Sequence, residues 1–231
     1  MKYLYDLHIH SALSPCADND MSPANIVAAA SLKGLEIIAV SDHNSIKNVR
    51  LTMEIGKLMD ILVVPAIEVQ TNEDIHILCL FESYPDLENF YNSIPFTTKL
   101  NRPEVFGNQL IFDEDDNFWE EPTLLALSAD ISESEIGKRA AEYHGIAIPA
   151  HVDREAYGVI AVLGSIPEGY AALELSHKAD ESTREQYAAN HRLIFDSDAH
   201  SLDEIGIACG LIELESLSAK NLIDFLRSEI R

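Results

Sequence analysis

His8-Ile9-His10 closes the first apolar stretch of the chain, and residues two apart in a strand face the same side, so both imidazoles can converge on one ion. Four later places repeat the theme: Ser41-Asp42-His43-Asn44, Glu68 with His76 close behind, His151, and Asp198-Ala199-His200. Mixed imidazole and carboxylate ligation suits zinc, manganese or iron without choosing among them. A lone His-x-His pair is as well explained by a surface or a core. Seven or more such groups gathered on one face are not, because uncompensated they would strongly disfavour folding. The set His8, His10, His43, Glu68, His76, His151, Asp198 and His200 therefore reads as a metal centre.

Nearly every one of these groups stands where an apolar run ends. Tyr3–Ile9, Leu35–Val40, Ile61–Ile67, Ile146–Ala150, Ala171–Leu175 and Leu193–Phe195 read as strands, and Ile75–Phe81 is β-rich but alternates less cleanly. Between them lie helical patterns. Pro23–Leu32 has Ser22 as its cap and Gly34 past its end, and Ser45–Met59 forms a second helix. Ser132-Glu133-Ser134-Glu135 is a capping box for a helix that reaches His144 and stops at Gly145. Ser218–Glu229 is a final amphipathic helix. The alternation argues βα repetition and a mainly parallel sheet, whose strand C-termini would collect the ligands on one face. Asn101–Glu121 is polar, and its Asp113-Glu114-Asp115-Asp116-Asn117 cluster reads as a hairpin tip in an insertion spanning roughly 84–125, since the glycine and closing glutamate of a calcium loop are missing. No repeat or linker interrupts the rest, so one domain over 1–231 is expected.

The chain carries 16 Lys and Arg against 39 Asp and Glu, a formal net charge of −23. Such a surface repels a phosphate backbone at long range, which argues against long nucleic acid as a partner. A small phosphorylated substrate stays compatible, because bound cations reverse the local sign. The apolar runs are too short for a membrane span, nothing at the N-terminus resembles a signal peptide, and three scattered cysteines make no disulfide framework. A cytoplasmic protein with no membrane and no obligate protein partner is the expectation. Cys79 and Cys209 lie in apolar surroundings and read as core; His144 and His191 need no function.

Asp6-Leu7-His8-Ile9-His10, Val40-Ser41-Asp42-His43-Asn44, Pro65-Ala66-Ile67-Glu68, Ala150-His151 and Ser197-Asp198-Ala199-His200 resemble, in order, the motifs of the PHP (polymerase and histidinol phosphatase) family. The resemblance implies a distorted seven-stranded (β/α)7 TIM-like barrel with two or three divalent ions. By position, His8, His10, Glu68 and Asp198 would hold one ion, Glu68 would bridge to a second completed by His76 and His151, and His43 with His200 would hold a third. A residue of Ser14-Pro15-Cys16-Ala17-Asp18-Asn19-Asp20, where this chain departs from the family pattern, would complete that third set. Asp18 is the first choice there, with Cys16 and Asp20 as alternatives; a thiolate would favour zinc.

The implied activity is metal-dependent hydrolysis of a small phosphorylated metabolite or nucleotide. A water shared by the two ions on Glu68 would lose a proton near neutral pH and attack, with the third ion anchoring the phosphate. Arg154 resembles the family's phosphate-clamping arginine, and His177, past another strand end, is a candidate substrate contact or general acid. Asp6 and Asp42 would orient imidazoles. Two alternatives stand beside this: a 5′→3′ exonuclease on short oligonucleotides, and a non-catalytic metal-binding PHP module.

Overall fold

Runs of β-branched and aliphatic residues form short strands, and the capped amphipathic segments between them form helices. The computed structural model describes residues 1–228. Its elements are β1 (Lys2–Ile9), α1 (Pro23–Leu32), β2 (Ile37–Val40), α2 (Val49–Leu58), β3 (Leu62–Val63), β4 (Ala66–Gln70), β5 (His76–Phe81), α3 (Tyr84–Asn92), α4 (Pro103–Phe106), β6 (Leu110–Phe112) and β7 (Phe118–Glu120). There follow α5 (Glu133–Glu142), β8 (Gly145–Pro149), α6 (Val159–Leu163), β9 (Ala172–Leu175), α7 (Glu181–Ala188), β10 (Arg192–Phe195), β11 (Gly210–Glu213) and α8 (Ala219–Arg227). The expected end of the last helix, Glu229, lies outside the described residues.

Caps act where the sequence places them. The Ser22 hydroxyl accepts from the Asn25 amide at 3.3 Å, opening α1. Before α5 the Glu135 carboxylate takes the Ser132 hydroxyl at 2.7 Å and its amide at 3.4 Å. The second helix starts at Val49 rather than Ser45, and the residue before it is occupied elsewhere: the Asn48 side-chain amide donates to the Ser11 hydroxyl and the Leu110 carbonyl.

The strands form a four-stranded sheet β11-β1-β2-β3, a three-stranded sheet β4-β5-β8, the pair β9-β10 and the hairpin β6-β7. Parallel pairing joins β1 to β2, β2 to β3 and β9 to β10. The mainly parallel expectation fails at β5, which runs antiparallel to both β4 and β8. Only five residues, 71–75, separate β4 from β5, and a parallel return needs a crossover of a dozen or more. The turn is closed by the Thr71 amide on the Ile75 carbonyl at 2.8 Å. The expected closed seven-stranded barrel is corrected in turn: the sheets are small and separate, and single bridges, Ile9 to Ala199 and His43 to Glu68, cross two of the gaps between them. The α/β class stands.

Strand β5 is buried on both faces, which explains its unclear alternation. Leu78 and Leu80 join Leu7, Ala39, Ala66 and Ile148 between the sheets, while Ile77, Cys79 and Phe81 face Phe90, Ile136 and Ala140 of the helices. Cys79 is core as expected, and half-buried Cys209 packs at the edge of the apolar cluster under α1.

The insertion opens with α3, unforeseen in the sequence, and ends on the β6-β7 hairpin, whose Asp113 carboxylate is engaged by the Asp115 and Asn117 amides of its own tip. It meets the site loop through the Asn108 side chain, which donates to Asn19 at 3.2 Å, and at Gly107. Gly107 has a φ of 99°, and a Cβ there would stand 2.1 Å from the Pro15 carbonyl oxygen. Gly107→Ala is therefore expected to cost roughly 1–3 kcal/mol through left-handed strain and this clash, read as a lowered Tm; an unchanged Tm would show that the insertion does not brace the loop.

Candidate metal centre

Strand ends carry the cluster because their backbones are tied to one another there. The His10 amide donates to the Ala199 carbonyl at 2.9 Å, Ser41 to Ile9 at 2.9 Å, Asn44 to Glu68 at 2.9 Å, and Ala150 to His76 at 3.1 Å. Because β5 is antiparallel to β4, its first residue, His76, pairs with Gln70 at the same end as Glu68. His151 and Asp198 adopt left-handed backbone, with φ of 32° and 50°. That conformation is uncommon for non-glycine residues and concentrates at functional sites.

Glu68 sits at the middle, completely buried. Its Oε1 lies 3.0 Å from His76 Nδ1, 3.3 Å from His8 Nε2 and 3.5 Å from His151 Nε2. Its Oε2 lies 2.8 Å from His43 Nδ1 and 3.5 Å from His10 Nε2. Yet neither oxygen has a hydrogen-bond partner in proper geometry, nor do His43 Nδ1 and His151 Nδ1. Asp198 Oδ1 approaches His10 Nε2 at 3.0 Å and His8 Nε2 at 3.3 Å, while those two ring nitrogens face each other at 3.1 Å. Ring centroids of the six histidines stand 4.3–6.4 Å from their neighbours.

Three donor groups have ligand atoms within 4.8 Å of one another: His8 with His10 and Asp198, His43 with Glu68 and His76, and His10 with His43 and His200. Imidazole nitrogens and carboxylate oxygens converging around an unpartnered carboxylate fit divalent cations. All eight residues expected from strand ends are brought together.

Charge settles accordingly. Burial would raise the Glu68 carboxyl, but the imidazoles of His76, His8 and His43 hold it well below the usual range. Asp198 is likewise held down by His8 and His10 against burial. Burial lowers His10, helped by His200 and His43, and keeps it neutral with a lone pair to give. Burial also lowers His8, yet the charges of Glu174, Asp198 and Glu68 outweigh it and raise this imidazole.

Residues behind the cluster fix the rings. Glu174, which the sequence reading passed over, takes His8 Nδ1 at 2.8 Å. Its position inside β9 was the available signal, a charge in an apolar strand. Asp42 reaches His10 indirectly: the Ser14 hydroxyl donates to Asp42 at 2.7 Å and meets His10 Nδ1 at 2.9 Å. The expected imidazole role of Asp6 is corrected, since it accepts from the Ser197 amide and hydroxyl and the Gly206 amide, bracing the segment that carries Asp198. Tyr157 stacks on His76, rings 4.4 Å apart and 9° from parallel.

The loop choice is also corrected. Asp18 and Asp20 are exposed, and their carboxylates make no hydrogen bond among the described residues; Asp18 contributes its amide, at 2.8 Å from the His200 carbonyl. A turn closed by Ala17 on the Ser14 carbonyl at 2.9 Å has Pro15 at its second position, and it places Sγ of Cys16, itself exposed, 3.1 Å from His200 Nε2. Burial would raise this thiol, but hydrogen bonds from His200 and His43 bring it down to about 7.

Arg154 pairs with Asp198 through Nη1, and its side chain is 39% exposed; Asp153 is engaged by Ser176 instead. His177 is exposed and makes no side-chain hydrogen bond among the described residues, so it does not join the cluster. His144 pairs with Asp86, and His191 meets the Tyr170 carbonyl. A cavity of about 530 Å³ between α5 and the starts of β8 and β9 shares no residue with the cluster. Ligand chemistry belongs to the cluster, where the polar groups converge.

Comparison with known proteins agrees. The PHP domain profile matches residues 6–201. An uncharacterized protein of Methanocaldococcus jannaschii is 35% identical over 89 residues, covering 35% of this chain and 52% of the relative. The lesion-specific endonuclease PfuEndoQ from Pyrococcus furiosus superposes with a TM-score of 0.70 at 18% identity, over 98% of this chain and 56% of its own. An Endonuclease Q complex with a 27-mer duplex bearing an abasic lesion at the active site gives 0.68 at 17% identity, over 98% and 57%. A Bifidobacterium adolescentis protein described as a metal-dependent phosphoesterase gives 0.58 at 16%, over 96% and 94%. The chain thus spans little more than half the length of the jannaschii protein and of endonuclease Q.

These likenesses correct the expected partner, a small phosphorylated substrate with no long nucleic acid: Endonuclease Q, of similar fold, is found on a 27-mer duplex. No helix among the described residues is long and apolar enough to cross a membrane.

If cations belong among these side chains, adding them must stabilise the fold. Divalent metal at a hundredfold excess over its Kd is expected to add about 2.7 kcal/mol, read as a raised Tm that EDTA reverses. Identical melting with and without EDTA would refute metal binding.

Proposed function

The chain belongs to the PHP domain family, and from that premise we propose that it is a metal-dependent phosphoesterase cleaving phosphodiester bonds in nucleic acid. One observation carries the metal half: both oxygens of buried Glu68 lack hydrogen bonds in the midst of five imidazoles. The nucleic-acid half is supported by the likeness to Endonuclease Q bound to a duplex.

In this reading His8, His10, Glu68 and Asp198 hold one ion, Glu68, His76 and His151 a second, and His43 and His200 a third. Divalent ions so held would supply an acidified water and neutralise phosphate oxygens. The protein's own contribution is orientation. Glu174 holds His8 in one tautomer through Nδ1, leaving Nε2 toward the cluster. Ser14 does the same for His10. Arg154, tethered to Asp198 with its side chain partly in solvent, would present a guanidinium to a phosphate bound beside Asp198, where a planar fork matches its oxygens.

Zinc-, manganese- or iron-loaded protein is expected to cut one or more of a panel of single-stranded, duplex and abasic-site oligonucleotides on a denaturing gel, and Glu68→Gln to abolish the cutting. Hydrolysis of phosphomonoesters alone would overturn the nucleic-acid reading; activity in Glu68→Gln would overturn the centre's role. Arg154→Ala is expected to lower kcat/KM by about 10²–10³-fold, the scale of one lost transition-state donor, with little change in metal content. An unchanged kcat/KM would remove Arg154 from the mechanism.

A further inference from the structure

The loop after β8 brings more to the centre than His151. Its backbone is anchored at several points and folds tightly between them. The Val152 amide donates to the Glu174 carbonyl at 3.0 Å, and the Arg154 amide to the His151 carbonyl at 2.9 Å. The Asp153 carboxylate takes the Ser176 amide at 2.7 Å. At Gly158 a Cβ would stand 2.5 Å from the Arg154 carbonyl oxygen, so glycine is what lets the chain close there. The loop then reaches β5, where the Tyr157 carbonyl accepts the His76 amide at 3.0 Å.

That contact lays Tyr157 on His76. The two rings stack with centroids 4.4 Å apart and planes 9° from parallel, and His76 Nδ1 is 3.0 Å from Glu68. The Tyr157 backbone is left-handed, with a φ of 59°, a conformation that stores strain in a bulky residue and gathers at functional sites. Burial does not offset that strain, because the residue is 45% exposed and joins none of the apolar clusters. Its hydroxyl makes no hydrogen bond among the described residues. What the fold places is therefore the ring. One face lies against His76, which leaves the other face and the edge open, one ring removed from the metal centre. Three residues earlier on the same loop, Arg154 pairs with Asp198.

We propose that Tyr157 is a specificity-determining residue, on whose open face a base next to the scissile phosphate stacks. This rests on the nucleic-acid reading above and deepens it. Every base has a π-face, so stacking on an aromatic ring is sequence-tolerant. Tyr157 thus favours a nucleic-acid strand over a phosphate ester that carries no base, without favouring one sequence. A single loop then supplies a ligand in His151, a phosphate contact in Arg154 and a base platform in Tyr157.

The test uses an oligonucleotide that the metal-loaded protein cuts, and the same strand lacking the base on one side of the cut or the other. On the intact strand, Tyr157→Ala is expected to lower kcat/KM by about 5–150-fold per metal-loaded chain, the scale of one lost base–aromatic stack. Tyr157→Phe, which keeps the ring, should restore it. On one of the two base-lacking strands the difference between wild type and Tyr157→Ala should vanish, because the ring has lost its partner. A ring that only supports His76 would lower all three strands alike; that result overturns the proposal, as does no loss on any strand. In wild type alone, 5-iodouracil placed beside the cut should photo-cross-link to Tyr157, read by peptide mapping, so the test stands even if a variant misfolds. Cross-linking only at other residues overturns the base platform and leaves the metal centre intact. Metal-loaded wild type that cuts no oligonucleotide overturns the nucleic-acid reading, and this inference with it.

Discussion

A fully buried glutamate with no hydrogen-bond donor on either oxygen dictates the geometry around it. Removing a carboxylate from water costs several kcal/mol even after relaxation, and the imidazoles of His76, His8 and His43 work against that cost. Cations between Glu68 and the nitrogens that face it would offset it further. Its neighbours make sense on the same footing. The antiparallel return of β5 brings His76 back to the Glu68 end, and the left-handed turns at His151 and Asp198 aim two more ligands inward. The antiparallel course of β5 thus falls where a ligand must be turned toward Glu68.

The surrounding polar groups fall into two kinds. Glu174 and Ser14 act on the rings, each holding an Nδ1 so that the opposite nitrogen points to the cluster. Asp6 acts on the backbone instead, gathering the Ser197 and Gly206 amides, and Asp42 does both, taking the Ser11 amide and the Ser14 hydroxyl that meets His10. Charged groups at such depth are costly unless satisfied, and here the satisfaction is also the positioning. The loops that carry His10 and Asp198 are thus as firmly placed as the strands they extend.

Much of this was legible beforehand, for a physical reason. A ligand at the end of an apolar strand is a contrast in polarity that one sequence displays, and His8, His10, His43, Glu68, His151, Asp198 and His200 carry it, while His76 opens a strand instead. Cys16 does not stand at a strand end, and its orientation depends on a proline turn and on contact with Gly107, more than ninety residues away in the chain. Glu174 was hidden because a lone acid inside a short strand looks like an exposed face. The direction of β5 was hidden because alternating strands and helices suggest parallel pairing, although the short link from Ile67 to Ile75 is already below the dozen residues a parallel return needs. Closure of the barrel likewise depends on pairing between sheets, which no local pattern records.

The charge argument failed differently. A net charge of −23 is a sum over the whole surface, and in physiological salt each exposed charge is screened beyond about 8 Å. A phosphate entering the cluster therefore feels mostly what lies within that radius. There, the carboxylates of Glu68 and Asp198, with Glu174 and Asp42 behind them, would be opposed by about four to six positive charges from two or three divalent ions, with Arg154 adding another beside Asp198. With ions bound, the local field would be far less negative than the molecule as a whole. Total charge bears on how readily a polyanion is drawn in from a distance, and so on encounter rate; it does not decide which ester is held once the phosphate has arrived.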